Sequence, residues 1–345
     1  MRALSLNERR LIELVAAKGP LARTDLSGAL GLTGATVTRI VTELAELGLF
    51  DEAVDRQGRG GQPKRMLSLK PGRYFAAGLT FSRSSFELVL LDLSGQIAAQ
   101  RSVQNGNLSS VDIARVANAS LMQMLEDEQV SCEAVVGIGC AMPGNFDGGG
   151  MQMRAHGVFA DLDDTATLER FVAAFDLPIL LENDGTSAAI GEHVYGQQAD
   201  DGAAMFFVHL GHGVGGGAVV NGAPFRGVNG NACLPGFLFP YGAPRPSGLD
   251  LIETLTADSL RITDFSDLEG LDRTTPALTR WIERAGAQLA EAARAATAFF
   301  DPSVIVVGGR LPTWINVALV ARMQAAGGQG PSRGLRVAPL RAAKL

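Results

Sequence analysis

LGLTGATVTRIVTELAELGL, residues 30–49, decides the amino-terminal fold. Val37, Ile40, Val41, Leu44 and Leu47 recur in it at three- and four-residue steps, which places them on one face of a helix. Thr33 stands where a helix N-cap accepts a backbone N–H, and Gly48 closes the run. Working outward, Gly31 ends a shorter helix over 23–30. Further upstream, Ser5 and Glu8 form an S-x-x-E capping box ahead of Leu11, Ile12, Leu14 and Val15, and Gly19-Pro20 ends that helix. Three short helices with a tight glycine turn between the second and third predict a helix-turn-helix.

The outward face of the third helix carries Gly34, Ala35, Thr36, Thr38 and Arg39 near its N-terminal end. A recognition helix enters the DNA major groove by that end, where bulky apolar residues would block it. Arg39 can reach a guanine edge or a phosphate, and Thr33, Thr36 and Thr38 can contact phosphates or a thymine methyl. Two short strand-like runs, 49–54 and 66–69, then flank DRQGRGGQPKR, residues 55–65. This reads as a β-hairpin wing carrying Arg56, Arg59, Lys64 and Arg65, its glycines able to lay an arginine into a narrow minor groove. The plain alternatives are a solvated helix face and a charged loop.

The net charge of −6 at first disfavours nucleic acid, but the charge is uneven. Residues 1–70 carry 11 Lys and Arg against 8 Asp and Glu, while the remainder carries 19 against 28. A basic head on an acidic body fits local contact with DNA. Apolar residues make up 46% of the 345, enough for a large core, and 19% charged residues argue against disorder. Cys132, Cys140 and Cys233 show no CxxC spacing, so a reduced compartment and no disulfide framework are expected. The start, MRALSLNERR, has no apolar h-region, and no apolar stretch is long enough to cross a bilayer. A soluble, cytoplasmic protein is expected.

Lys70-Pro71-Gly72 reads as a linker, after which the pattern alternates strands and helices. Strands are predicted over 75–81, 86–91, 97–103, 134–140, 178–181, 204–210, 216–220 and 304–307. Helices are predicted over 110–127, 185–195 and 281–300. This is an α/β body with mixed sheets, and two half-bodies of a five-stranded type would place a cleft between them. Four motifs carry chemical content. GIGCAMPGNFDG (137–148) is a buried strand running into a Pro-Gly loop, with Gly144 and Asn145 as candidate ligand contacts. LENDGTSAAIGE (181–192) puts Glu182, Asn183 and Asp184 at the C-terminal end of a strand, where α/β folds bind ligands. HLGHGVGGGAVVNG (209–222) is a glycine loop whose N–H groups could cradle phosphate. DPSVIVVGGR (301–310) ends a strand in Gly308-Gly309, where a flat base could approach the backbone.

In this order and spacing the motifs resemble the ROK family (repressor, open reading frame, kinase), which joins sugar kinases and sugar-responsive repressors in the actin-like ATPase superfamily. The resemblance runs from Asn7 to Gly309. It implies an α/β body of two actin-like, ribonuclease-H-like halves with a central cleft, behind a winged helix-turn-helix domain. The corresponding domains are 1–70, 71–185 and 186–345. The head resembles that of the family's repressors; free-standing kinases of the family lack one.

The body departs from the kinase pattern. The family's D-x-G-G-T phosphate loop corresponds to GLTFSRSS (78–85), with Thr80 in place of the Asp and Ser82-Arg83 in place of the glycines. Phosphoryl transfer depends on positioning and charge neutralisation, and both should suffer. The family's E-x-G-H stretch corresponds to Leu234-Pro235-Gly236-Phe237, and no cysteine follows Cys233, so neither zinc nor any other metal or cofactor is expected. By the same resemblance, Glu253 matches a Glu near the zinc cysteines and His156 a sugar-contacting Asn. The family also usually ends with a further helix, which weakens a nucleotide site here.

Asp184 matches the kinases' general base and Asn183 a sugar ligand, and the family's repressors keep the pair. Either residue could hydrogen-bond a polyol, although Asp184 could equally be an ordinary helix N-cap. His193, His209 and His212 lack metal-ligand spacing and are expected to be satisfied or solvent-facing. The expected function is a sequence-specific regulator, a repressor, binding an operator as a homodimer or homotetramer under a sugar-like effector. Leu234 and Phe237 would make the effector pocket more apolar. The alternatives are an ATP-dependent sugar kinase with a DNA-binding head, Asp184 then being catalytic, and a DNA-binding protein blind to ligand.

Overall fold

Ser5 starts the first helix, α1 (Leu6–Lys18): Glu8 returns Oε2 to the Ser5 amide at 2.6 Å, which closes the capping box. A two-residue strand, β1 (Leu21–Ala22), leads into α2 (Arg23–Leu30), which ends at Gly31 in the left-handed conformation with φ 64°. Thr33 then caps α3 (Gly34–Glu46), whose Val37, Ile40, Val41 and Leu44 are all 1% exposed or less. Each such burial is worth about 1.5–3 kcal/mol and fixes which face turns outward. β2 (Phe50–Asp55) and β3 (Lys64–Leu69) are antiparallel, and β3 lies between β1 and β2. Leu11, Leu26 and Leu67 join the α3 stripe in one core.

The segment 70–72 is not the free linker that its Pro and Gly suggest. The Lys70 amide donates to the Leu49 carbonyl at 2.9 Å, and the Gly72 amide donates to Oδ2 of Asp92 at 2.9 Å. The structure, a computed structural model, describes residues 4–55, 64–81, 85–104, 106, 108–146, 153–155, 157–196, 203–327 and 336–345. These belong to two units, Met1–Met142 with Ala155–Leu181, and Pro143–Arg154 with Glu182–Leu345.

In the first unit, β4 (Phe75–Phe81), β5 (Ser85–Asp92) and β6 (Ile97–Gln104) form an antiparallel meander. The helix α4 (Ser110–Asp127) carries the chain back to β7 (Val135–Met142), parallel to β4, since parallel neighbours need a crossover. Between β7 and the next helix the chain passes through the second unit, where two three-residue strands, β8 (Gly144–Phe146) and β9 (Met153–Ala155), pair with each other. After α5 (Thr165–Val172), β10 (Ile179–Asn183) adds beside β7, giving the order β10-β7-β4-β5-β6. Alternating burial along β4 places Phe81 against Phe159 and Phe171, with ring centroids 5.7 and 5.8 Å apart.

The second unit repeats the scheme. It opens with α6 (Asp184–Val194) and a meander of β11 (Met205–Leu210), β12 (Val214–Val220) and β13 (Ala223–Pro224). The helices α7 (Gly248–Ala257) and α8 (Pro276–Phe300) lead to β14 (Val304–Gly309), parallel to β11. Then α9 (Thr313–Gly327) leads to β15 (Leu340–Ala342), parallel to β14. The order is β13-β12-β11-β14-β15, so both sheets read third-second-first-fourth-fifth when counted from their own first strand. This repeat of a five-stranded mixed sheet is the actin-like architecture.

Every residue of β11 is buried, as expected of a central strand covered on both faces. Beneath it Trp281, 1% exposed, donates its indole N–H to Asp250 at 2.7 Å. The edge strand β15 is secured by Glu192 of α6, a carboxylate 1% exposed that accepts the amides of Lys344 and Leu345 at 2.9 and 3.3 Å. No helix among the described residues is long and apolar enough to cross a membrane.

Candidate functional site

Two surfaces gather the residues singled out by sequence, one in each unit. On the first, α3 leaves Gly34, Ala35, Thr38 and Arg39 exposed beside the buried stripe. The cap at Thr33 also engages Thr36, their hydroxyl oxygens lying 2.9 Å apart. Arg39 donates to Oε1 of Glu43 one turn on at 2.6 Å, yet its side chain is 63% exposed. An exposed pair of this kind is weak and releases the guanidinium readily to a stronger acceptor. Thr42, exposed on the same face and donating to the Thr38 carbonyl at 2.9 Å, extends this surface by a turn. Sequence reading stopped short of Thr42, although its i+4 spacing from Thr38 was the available signal.

On the hairpin, Lys64 lies 3.9 Å from Asp25 and Arg65 3.4 Å from Glu52, and both basic side chains are more than half exposed. Glu52 also receives Arg23 at 2.5 Å. Burial pushes the Glu52 carboxyl up, but the hydrogen bonds and charges of Arg23 and Arg65 outweigh it and hold the group below its ordinary value. Arg23 therefore braces the base of the hairpin. Arg56 and Arg59, expected at its tip, lie outside the described residues, as do Ser82, Arg83 and His156.

The second surface lies at the end of β10. Asn183, not Asp184, caps α6: its Oδ1 accepts the Thr186 amide at 3.0 Å. Its Nδ2 donates to the Gly144 carbonyl at 2.6 Å, so two of the proposed ligand residues hold each other. Asp184 is the first helical residue, and its Oδ1 accepts the Gly185 amide at 2.8 Å. The reading of Asp184 as the cap is thus corrected: Asn183 is the last residue before the helix, so its side-chain oxygen reaches the free N–H group three positions on, while Asp184 already lies within the helix. Beside them Glu182 receives Arg226 at 2.8 Å. Asn145 follows Gly144 on β8 and is half-buried.

Asp184 faces His209, whose Nε2 lies 3.6 Å from its Oδ2, beyond a hydrogen bond. His209 is 9% exposed, and its buried Nδ1 has no hydrogen-bond partner among the described residues. The expectation that His209 is satisfied or solvent-facing is therefore corrected: β11 turns it inward, toward Asp184. His193 Nδ1 likewise has no partner among the described residues, and burial lowers the pKa of the ring.

The glycine loop is smaller than its motif. Gly215, Gly216 and Gly217 belong to β12 and pair with His209, Val208 and Phe207. Gly217 admits α6: a Cβ there would stand 2.8 Å from the Gly185 carbonyl oxygen, and one at Gly185 would stand 2.6 Å from the Gly216 amide nitrogen. Helix-to-strand packing thus accounts for Gly217 of this motif and for Gly185 of the preceding one, and the turn itself is 211–213.

Glu253, expected near the same site, is exposed on α7. Phe237 is 72% exposed, so its ring stands in solvent rather than enclosing a pocket. Thr80 sits within β4, paired with Glu87 and Ala141.

The model of the ROK family matches residues 76–239. A protein of Sinorhizobium fredii called uncharacterized protein y4fQ is 47% identical over 99% of this chain and 88% of its own length. The DNA-binding transcriptional dual regulator NagC of Escherichia coli is 24% identical over 66% of this chain and 55% of its own length. The match to that regulator thus spans about half of it. Among solved structures, a ROK family transcriptional regulator, a homolog of the E. coli MLC protein, superposes with a TM-score of 0.71 at 20% identity, over 99% of this chain and 92% of its own. A ROK hexokinase from Thermus thermophilus reaches 0.57 at 22% identity, over 79% of this chain and 93% of its own. Both likenesses are likenesses of fold.

Proposed function

We propose, from the premise that this chain belongs to the ROK family, that it is a sequence-specific DNA-binding transcriptional regulator, a repressor. Residues 1–70 act as a winged helix-turn-helix domain, and the expected 71–185 and 186–345 as the two halves of the body, with their boundary moved back to 181/182 so that α6 stays whole, and with Pro143–Arg154 joining the second half. One observation carries this reading: α3 buries Val37, Ile40, Val41 and Leu44, and leaves small and hydrogen-bonding residues, with Arg39, facing outward at its N-terminal end. That is the chemistry a major-groove helix requires. Thr33, Thr36, Thr38 and Arg39 form the base- and phosphate-contacting set; Arg56, Arg59, Lys64 and Arg65 form the wing set.

The protein works as a homodimer or homotetramer in the cytoplasm, on an operator with two-fold symmetry. A sugar or sugar-derived effector binds near Asn183, Asp184, Gly144 and Asn145, and shifts the placement of the heads. This is a coupling between two sites through differential binding to two states. His209, buried against Asp184, belongs to the same set. The test is titration onto DNA from the protein's own upstream region at two salt concentrations. Saturable binding to one palindromic site, far tighter than to random DNA, supports the regulator; weak, sequence-blind, salt-sensitive binding overturns it.

A sugar kinase is the second reading. It is favoured by Asp184 at the end of β10 and by the likeness to a ROK hexokinase. Thr80, Leu234 and Phe237 oppose it, because they remove the carboxylate and polar groups that phosphoryl transfer and sugar binding need. Sugar-dependent ADP release with magnesium, abolished by Asp184→Asn, would establish it.

A further inference from the structure

Within the first unit, the recognition helix is tied to the body at its C-terminal end. Leu47, the C-cap of α3, gives its carbonyl to the Tyr74 hydroxyl at 3.0 Å. Tyr74 directly precedes β4 and is locked in turn: its own carbonyl accepts the Leu93 amide at 3.0 Å. Tyr74 and Leu93 both pack against the head's core of Leu11, Ile40, Leu44, Leu49 and Leu67. Arg73 lies over the Tyr74 ring at 5.0 Å and reaches Gly48, beside whose backbone its Nε would stand 3.3 Å from a Cβ.

Beneath this contact, Asp92 is 4% exposed and fully engaged. Its Oδ2 takes the Gly72 amide at 2.9 Å, and its Oδ1 takes the Ser94 amide at 2.9 Å, the Ser94 hydroxyl at 2.6 Å and the Gln96 amide at 3.0 Å. One buried carboxylate therefore joins the chain leaving the head to the β5–β6 turn of the body.

We infer that Tyr74 and Asp92 are positioning residues that fix the recognition helix on the first body sheet and so set the half-site spacing the protein accepts; this rests on the reading of the chain as a dimeric DNA-binding regulator. Five free linker residues would let a head wander over about 12 Å. A dimer of such heads would tolerate several operator spacings. Two added base pairs move a half-site by about 7 Å along the duplex and turn it by about 70° around it, since one turn takes roughly 10–10.5 base pairs over 34–36 Å. A clamped head cannot follow that displacement; a freed head can.

The experiment uses a palindromic duplex that the full-length protein itself selects from random DNA, the same duplex with two base pairs inserted at its centre, and a single half-site. Wild type should lose about tenfold or more in affinity on insertion, because the second head no longer adds its avidity. Tyr74→Phe and Asp92→Asn should bind the single half-site as wild type does, and lose about threefold or less on insertion. A merely structural role would weaken half-site binding and leave the spacing preference intact, and that result overturns the clamp. Amide exchange without DNA gives a second readout: Gly72 and Leu93 should be protected in wild type and exchange faster in Asp92→Asn, with Val41 and Leu44 unchanged. Rapid exchange of Gly72 in wild type also overturns the clamp. If wild type selects no site at all, the regulator reading falls, and the spacing proposal falls with it.

Discussion

Asn183 donates its side-chain amide to the Gly144 carbonyl at 2.6 Å while its oxygen accepts the Thr186 amide at 3.0 Å. One side chain thus caps α6 and moors the loop that follows β7. Asn183→Ala should cost about 1–2 kcal/mol through the lost cap alone. Thermal unfolding measures the sum, and amide exchange at Thr186 identifies the cap as its source. Asn183→Asp keeps the acceptor for Thr186 but sets a carboxylate against the Gly144 carbonyl, so it should release residues 144–146 while α6 keeps its protection.

Gly185 is required by packing rather than by a ligand. An added Cβ would meet backbone atoms of Gly216 at 2.6 Å, and backbone cannot swing aside as a side chain can. Gly185→Ala should destabilise the second unit by about 1–3 kcal/mol or more, read from the midpoint of chemical denaturation. Wild-type stability in this variant would show that α6 has room to retreat.

Asp184→Asn separates the two functional readings. Under the regulator reading, operator binding without effector stays at the wild-type level, and the change made by an effector is reduced or lost. Under the kinase reading, sugar-dependent ADP release disappears. Both follow from placing Asp184 at the head of α6, next to His209, with no part in the DNA-contacting face.

Arg39→Ala should weaken operator binding by roughly 1–3 kcal/mol if the guanidinium reads a base. The bond to Glu43 lies on an exposed helix face, so thermal stability should change by less than about 0.5 kcal/mol. Equal affinity of wild type and variant for the selected site would remove Arg39 from the contact set.

Acid should loosen the junction at Asp92. Burial pushes its carboxyl up, but hydrogen bonds from the Ser94 hydroxyl and from the amides of Gly72, Gln96 and Ser94 outweigh burial and hold it below the ordinary 3.8. A depressed carboxyl contributes stability that is fully present above the ordinary value and is lost as pH falls through the folded value. Wild type should therefore lose protection at Gly72 below about pH 4, faster than Asp92→Asn, which has no such proton to gain. Parallel pH profiles for the two proteins would assign the loss to other carboxylates.

Local signals in the chain were sufficient wherever a short-range rule governs. The helix 23–30 was readable from its stop at Gly31, and the helix 110–127 from the apolar stripe along its length. The strand 75–81 was readable from its alternation. The strands β1, β13 and β15 were not, because two or three residues carry no period; they exist only because a longer neighbour offers an open edge. The helices α5, α7 and α9 also went unread, although Asp164 and Ser247 cap the first two ahead of buried apolar residues. α9 buries Ile315, Leu319, Val320 and Met323 on one face, but the exposed Val317 and the half-buried Trp314 and Ala318 blur that stripe in the sequence.

By itself the sequence determined the α3 face, the Ser5–Glu8 capping box, the order of the longer strands and helices, and the place of Asn183 and Asp184 at a strand end. Each of these depends on residues within a few positions of one another. The tertiary structure alone decided that Asn183 is the cap and reaches Gly144, that Gly185 and Gly217 exist for helix-to-strand contact, and that His209 turns inward to Asp184. It also decided that Asp92 binds the chain leaving the head. These relations join groups 20 to 39 positions apart in the cases of Asp92 with Gly72 and of Asn183 with Gly144. Hydrogen bonds and close backbone contacts of that span depend on where folding places two segments, and no periodicity in either segment encodes the partner.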